Sequence, residues 1–165
     1  LAVAPKTARD GKPRTDAWLM QASRDLYALT NDRIYLEYAV ASAEEYLSLQ
    51  LTLFNASKPE DVGGFEDGLP VPMGPTAAAR CEGLVAAWRL TVDTGAPRED
   101  FFRAICLSLR FQLRQQFTAQ TARAFTAPAR LIGGMPLDRT NPTLRIDYLQ
   151  HHLSSLLAFL DNDPK

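Results

Sequence analysis

Three short stretches of this chain set a cation and an acid two positions apart: Arg14-Thr15-Asp16, Arg80-Cys81-Glu82 and Arg145-Ile146-Asp147. Each leads into apolar residues, and the arginines are 66 and 65 positions apart. Carboxylates do general acid or base work when burial or a like-charged neighbour raises their pKa. Glycoside hydrolysis in most families sets two of them across one bond. Histidine is an apt general base near neutral pH, and His151-His152 is the one histidine pair. Consecutive helix residues diverge, so at most one of the two faces a given pocket. Trp18, Trp88 and Tyr148 offer flat apolar surfaces against which a sugar ring can lie. Glu66 and Asp67 follow Gly63-Gly64-Phe65 as loop acids.

Each of these residues also has a plain structural use. An acid in the first turn of a helix is favoured by the macrodipole wherever it occurs. Residues two apart on a helix face different ways, so each arginine is free to pair with the acid of a neighbouring triplet. Histidines pack or stay solvated, aromatics at helical spacing belong to cores, and loop acids are commonly just hydrated. Structural pairing is the expectation for at least two of the three triplets. The arginines are the more informative members, because a cation near a helix N-terminus works against the dipole.

The elements that carry these residues read as helical hairpins. Asp16 to Leu29 is apolar on most faces, as in a helix buried nearly all round. Thr30-Asn31-Asp32 then supplies a turn and an N-cap. Ile34 to Leu53 is amphipathic, with a stripe of Tyr35, Tyr38, Ser42, Tyr46, Leu49 and Leu53. The pattern recurs. Ala77 to Thr91 is small and apolar, Asp93-Thr94-Gly95 breaks it, and Pro97 opens a helix striped by Phe102, Cys106, Leu109, Leu113 and Phe117. Thr143 to Leu160 is a third buried-type helix. Flanking residues keep the register: Leu26 falls on Leu157, Leu29 on Leu160, Asn31 on Asn162, and Gly63-Gly64-Phe65 on Gly133-Gly134-Met135. The reading is an all-α chain of helical-hairpin repeats of about 65 residues. The repeats span 14–76, 77–142 and, as an inner helix alone, 143–165. Helices are expected near 16–30, 33–54, 77–92, 98–120 and 143–160. The first, third and fifth should form an inner layer, with the second and fourth outside. Long connections at 55–75 and 121–142 are of a length that is usually functional.

Alternating buried and amphipathic helices, the Asn31-Asp32 turn and Gly63-Gly64-Phe65 together resemble the (α/α) toroid superfamily. That group includes six-hairpin glycosidases, the N-acylglucosamine 2-epimerase type and the terpenoid cyclases. The resemblance implies a partial toroid, the C-terminal portion of a ring of about twelve helices, with a pocket at one mouth of the inner layer. It implies that Asp16, Glu82, Asp147 and His151 are candidate catalytic groups. Arg14, Trp18, Arg80, Arg145 and Tyr148 are then candidate substrate-binding groups. The implied function is a carbohydrate-active hydrolase or isomerase; the alternative is a non-catalytic helical-repeat module that binds a protein partner. The rest of a parent chain, or a second copy, is expected to cover the open edge of the inner layer.

Composition narrows the field further. The 165 residues are 46% hydrophobic and 22% charged, with a net charge of −1, which suits a soluble domain and offers no footprint for nucleic acid. No apolar run approaches a membrane span. Cys81 and Cys106 stand outside metal-ligand spacing and are expected to be buried thiols, leaning towards a reducing, cytoplasmic setting. No phosphate loop, metal triad or nucleophile elbow is present, so no metal or cofactor is expected. A start at Leu1 without a leader suggests a processed product or a fragment.

Overall fold

The computed structural model describes residues 15–161. Helix α1 (Ala17–Thr30) starts where Asp16, in extended conformation, accepts from the Trp18 and Leu19 amides on its carboxylate. Two of the donors that a helix start leaves open are thereby satisfied. It ends at Asn31, whose left-handed conformation (φ 54) lets its N–H reach the Tyr27 carbonyl. Asp32 then caps α2 (Arg33–Leu49), so the turn forms as its residues suggest.

Other boundaries differ from expectation for identifiable reasons. α2 stops at Leu49, not 54, because Gln50 turns its side chain to the Ala104 carbonyl at 2.8 Å and the Leu51 backbone pairs with Gly63 and Gly64. α3 (Gly74–Asp93) begins three residues early, with Pro75 in the first turn where its missing N–H costs nothing. α4 (Glu99–Gln115) carries Glu99 and Asp100 at its dipole-positive end. A single turn, α5 (Pro128–Leu131), interrupts the second long loop, and α6 (Ile146–Leu160) closes the order. Strand-like pairing among the described residues is confined to two isolated bridges, Gln50–Phe65 and Pro136–Leu144. The fold is all-α.

α3 is the central helix, and α1, α2, α4 and α6 all pack on it. Glu82 meets Gln21 of α1 and His151 of α6, and seven residues further along α3 Arg89 meets Ala158, seven further along α6. Arg24 and Asp25, further along α1, line one cavity with Arg89 and Ala158, so α1, α3 and α6 run parallel, side by side with α3 in the middle. α4 runs against α3, since Arg98 bonds Thr91 at one end and Ser108 bonds the Ala77 carbonyl at the other. Small residues permit this crowding: Ala77, Ala78, Cys81, Ala86 and Ala87 are buried, and a Cβ on Gly83 would lie 2.8 Å from the Met20 sulfur and 3.1 Å from the Ala17 Cα.

The outer members of the layer are not buried all round. α1 buries Ala17, Met20 and Ser23, while Trp18, Leu19, Leu26 and Leu29 stay exposed. α6 buries His152 and Ser155, while Ile146 (88% exposed), Leu149, Leu153, Leu157 and Leu160 face out. Each has one neighbour in its own layer, whereas α3 has two. The α4 stripe holds in part: Leu109 and Phe117 are buried as expected, but the buried face is centred on Phe101, Ala104, Ile105, Ser108 and Gln112, while Leu113 and Cys106 are exposed, so only Cys81 of the two thiols is buried.

The two long loops close alike. Leu51 N–H donates to the Gly64 carbonyl and Gly63 N–H to the Leu51 carbonyl; Phe117 makes the same pair with Gly134 and Gly133. Gly63 and Gly133 both have positive φ, and the residues after each pair, Phe65 and Met135, are buried.

Candidate functional site

Glu82 projects from α3 between the two flanking helices and is almost fully buried. Its Oε2 accepts from Gln21 Nε2 at 3.1 Å, and its Oε1 lies 3.1 Å from His151 Nδ1. Burial raises the Glu82 pKa, and the bonds from His151 and Gln21 oppose that rise. A carboxylate facing Nδ1 fixes the ring with Nδ1 as donor and leaves Nε2 as the basic nitrogen. The indole of Trp18 stacks over the imidazole, 6.4 Å between centroids and 29° between planes.

His151 and Trp18 also line an open recess of about 400 Å³ with Asp16, Tyr46 and Arg80. Arg80 comes from the second turn of α3; its guanidinium lies 5.6 Å from the Tyr46 ring centroid and 5.3 Å from that of Phe65, and it donates to the Glu66 carbonyl. Burial lowers its pKa, and Tyr46 beside it, also desolvated, is pushed up to about 12. The recess thus has an aromatic wall, a fixed cation and an imidazole. Those are the parts needed to hold an uncharged polar ring and move a proton on it.

The remaining candidates have other employment. Asp16 lines the recess but spends its Oδ1 on capping α1. Asp147 is paired with Arg145 at 2.9 Å on the surface, and Arg145 lies over Tyr148, 5.1 Å from its centroid. That pairing within one triplet corrects the expectation of pairing between triplets: Arg145 is the extended N-cap of α6, so its side chain reaches Asp147 where a helical residue's would not. Arg145 and Arg80 are also not in equivalent positions, because α3 starts six residues before Arg80 while α6 starts directly after Arg145. Arg14 lies outside the described residues, as do Asn162 and Asp163. Trp88 packs against Phe102, and Asp67 accepts from the Leu69 amide in its loop.

The chain matches no family model, no curated protein and no solved structure.

His152 points the other way from His151, as adjacent helix residues must. Its Nδ1 contacts Gln112 at 3.0 Å, Ser155 donates to the same Gln112 oxygen, and burial pulls its pKa down to about 4. It is a neutral core histidine. Sequence reasoning missed Gln21, Arg24, Arg89 and Ser154, which line a second, smaller cavity beside Glu82. Polar residues on an apolar helix carry no signal of their own until the neighbouring helix is known. Among the described residues no group of three or more His, Cys, Asp or Glu could hold a metal ion, and no helix is long and apolar enough to cross a membrane.

Proposed function

We propose that this chain forms part of an (α/α) toroid enzyme, built from hairpin repeats, that performs acid–base chemistry on a carbohydrate or similar polyhydroxylated substrate. The observation that carries this reading is the convergence of Glu82, His151 and Trp18 from three parallel helices beside a recess that also holds Arg80. Glu82 orients His151, His151 Nε2 takes or returns a proton, Trp18 holds the ring, and Arg80 bonds a hydroxyl or carbonyl oxygen. A proton-transfer isomerisation fits better than glycoside hydrolysis. Among the described residues neither of the other triplet acids is free to be the second carboxylate that hydrolysis needs, since Asp16 is consumed as a cap and Asp147 by Arg145. The like closure of the two glycine loops supports the repeat, and the parallel order of α1, α3 and α6 supports an inner layer of a ring.

The test is an NMR titration of the chain with neutral monosaccharides. The reading expects saturable millimolar shifts at the Trp18 indole, His151 and Arg80, weakened at least tenfold in Trp18→Ala. Shifts spread evenly over the surface, or none, would refute it.

A second reading has its own support: the exposed apolar faces of α1 and α6 suit a helical module that docks against protein. Under the enzyme reading the same faces are covered by the rest of a parent chain or by a second copy. Sedimentation separates these, because self-covering predicts concentration-dependent dimers that Leu153→Lys abolishes.

A further inference from the structure

Along the groove between α1 and α6, on the opposite side of Glu82 from the recess, sits a cavity of about 130 Å³. Liquid water takes about 30 Å³ per molecule, so the space accommodates several waters or one carboxylate, sulfate or phosphate group. Arg24 of α1 and Arg89 of α3 line it together with Gln21 and Ser154. Arg89 donates one terminal nitrogen to the Ala158 carbonyl at 3.1 Å, while its Nε is buried with no hydrogen-bond partner. Among the described residues no carboxylate lies within ion-pair distance of either arginine.

Two cations drawn together without a counter-ion repel, and each desolvated donor left unused costs stability. Burial and the neighbouring Arg24 both lower the Arg89 pKa, which is the mark of that repulsion. The acids that face the pair are Asp25 on the cavity wall, Glu82 at its end, and Asp93 and Asp161 further along. They moderate the field without occupying the donors. Guanidinium forks match oxyanions in geometry, and none of these four acids supplies that match here.

We infer that this cavity is an oxyanion subsite, in which Arg24 and Arg89, with Gln21 and Ser154 beside them, bind the carboxylate, sulfate or phosphate group of an acidic sugar. This rests on the carbohydrate reading for the ligand's remainder, but the oxyanion contact stands apart from it.

Calorimetric titration of the full chain with glucuronate, glucose 6-phosphate, glucose and inorganic sulfate tests the assignment, using wild type, Arg24→Gln and Arg24→Lys. Arg24 makes no hydrogen bond or ion pair among the described residues, and Arg24→Gln relieves its repulsion of Arg89, so the melting temperature should not fall and should rise slightly. One or both acidic sugars should bind at least tenfold tighter than glucose, and which of the two does so identifies the oxyanion. Arg24→Gln should erase that advantage, leave glucose binding as it was, and be partly rescued by Arg24→Lys. If sulfate binds and responds to Arg24→Gln while no sugar binds, the oxyanion site stands and the carbohydrate reading falls. If glucose binds as tightly as both acidic sugars and Arg24→Gln changes nothing, the carbohydrate reading stands and the oxyanion site is refuted. Failure of sulfate and both acidic sugars to bind also refutes it.

Discussion

Replacing Glu82 by alanine or by glutamine separates what its position does for stability from what its charge does. Alanine leaves the Gln21 amide and His151 Nδ1 without their acceptor and empties the space between three helices. A buried donor that loses its partner costs about 1–3 kcal/mol; Gln21 and His151 are half-buried beside open cavities, so water recovers part of this. The expected loss is about 1–2 kcal/mol, or a fall in Tm of roughly 2–8 °C for a chain of this size. Glutamine keeps one of the two acceptor oxygens, sets an amide nitrogen that His151 can meet as its other tautomer in place of the second, and removes the ionisation. Because burial raises the Glu82 pKa, the native state holds this proton more tightly than the unfolded chain does. Stability from this group is therefore fully present below the unfolded carboxylate pKa and is lost as pH rises through the folded one. Melting curves of wild type and Glu82→Gln from pH 4 to 8 should converge, or cross in favour of the variant, as pH rises. If Glu82→Gln instead falls progressively further behind wild type with rising pH, the bonds from His151 and Gln21 outweigh burial at this carboxylate, and the reasoning from burial is wrong.

Three further outcomes follow from packing and charge. Gly63→Ala should cost about 3 kcal/mol or more, since its Cβ would sit 2.1 Å from the Leu107 carbonyl at φ +95. Gly133→Ala, with nothing within 4 Å, should cost only the left-handed strain of about 1 kcal/mol, and urea titration of both distinguishes them. His152, with its pKa down to about 4, contributes stability that is complete above the unfolded histidine pKa and drains away as pH falls towards 4. That is about 3 kcal/mol by linkage, and His152→Gln should flatten this limb in thermal melts. Arg98 bonds Glu44 and Asp100 and lies 4.3 Å from the Phe101 centroid; Arg98→Ala should cost about 1 kcal/mol, less at high salt, as read by Tm in 0.05 and 1 M salt.

How far the fold could be read from the residues depended on how local each signal was. Asn31-Asp32 is a cap and a turn in itself, so the α1–α2 hairpin was legible, as were the small residues that let α3 lie in the middle. The face that α4 presents was not. Phe101-Phe102 and Ile105-Cys106 set an apolar residue on each of two adjacent faces, and only the position of α3 and α6 decides between them. The start of α3 was hidden because Met73-Gly74-Pro75 has the composition of a loop. The site was half legible. Glu82, His151, Trp18 and Arg80 were candidates individually, but Glu82 and His151 are 69 residues apart, and their contact is a product of helix packing. Arg24 and Arg89 went unremarked, because nothing local marks them until α1 and α3 are laid together.

The central claim, that the Glu82–His151 pair moves a proton on a sugar held against Trp18, is most directly met by solvent-exchange NMR. The protein is incubated in D₂O with reducing sugars, glucuronate among them, and the carbon-bound proton next to the carbonyl is followed. Wild type should exchange it for deuterium faster than buffer does, and His151→Gln, folded at the assay temperature as judged by its melting curve, should not. Exchange no faster than buffer in wild type, or exchange undiminished in His151→Gln, would contradict the account.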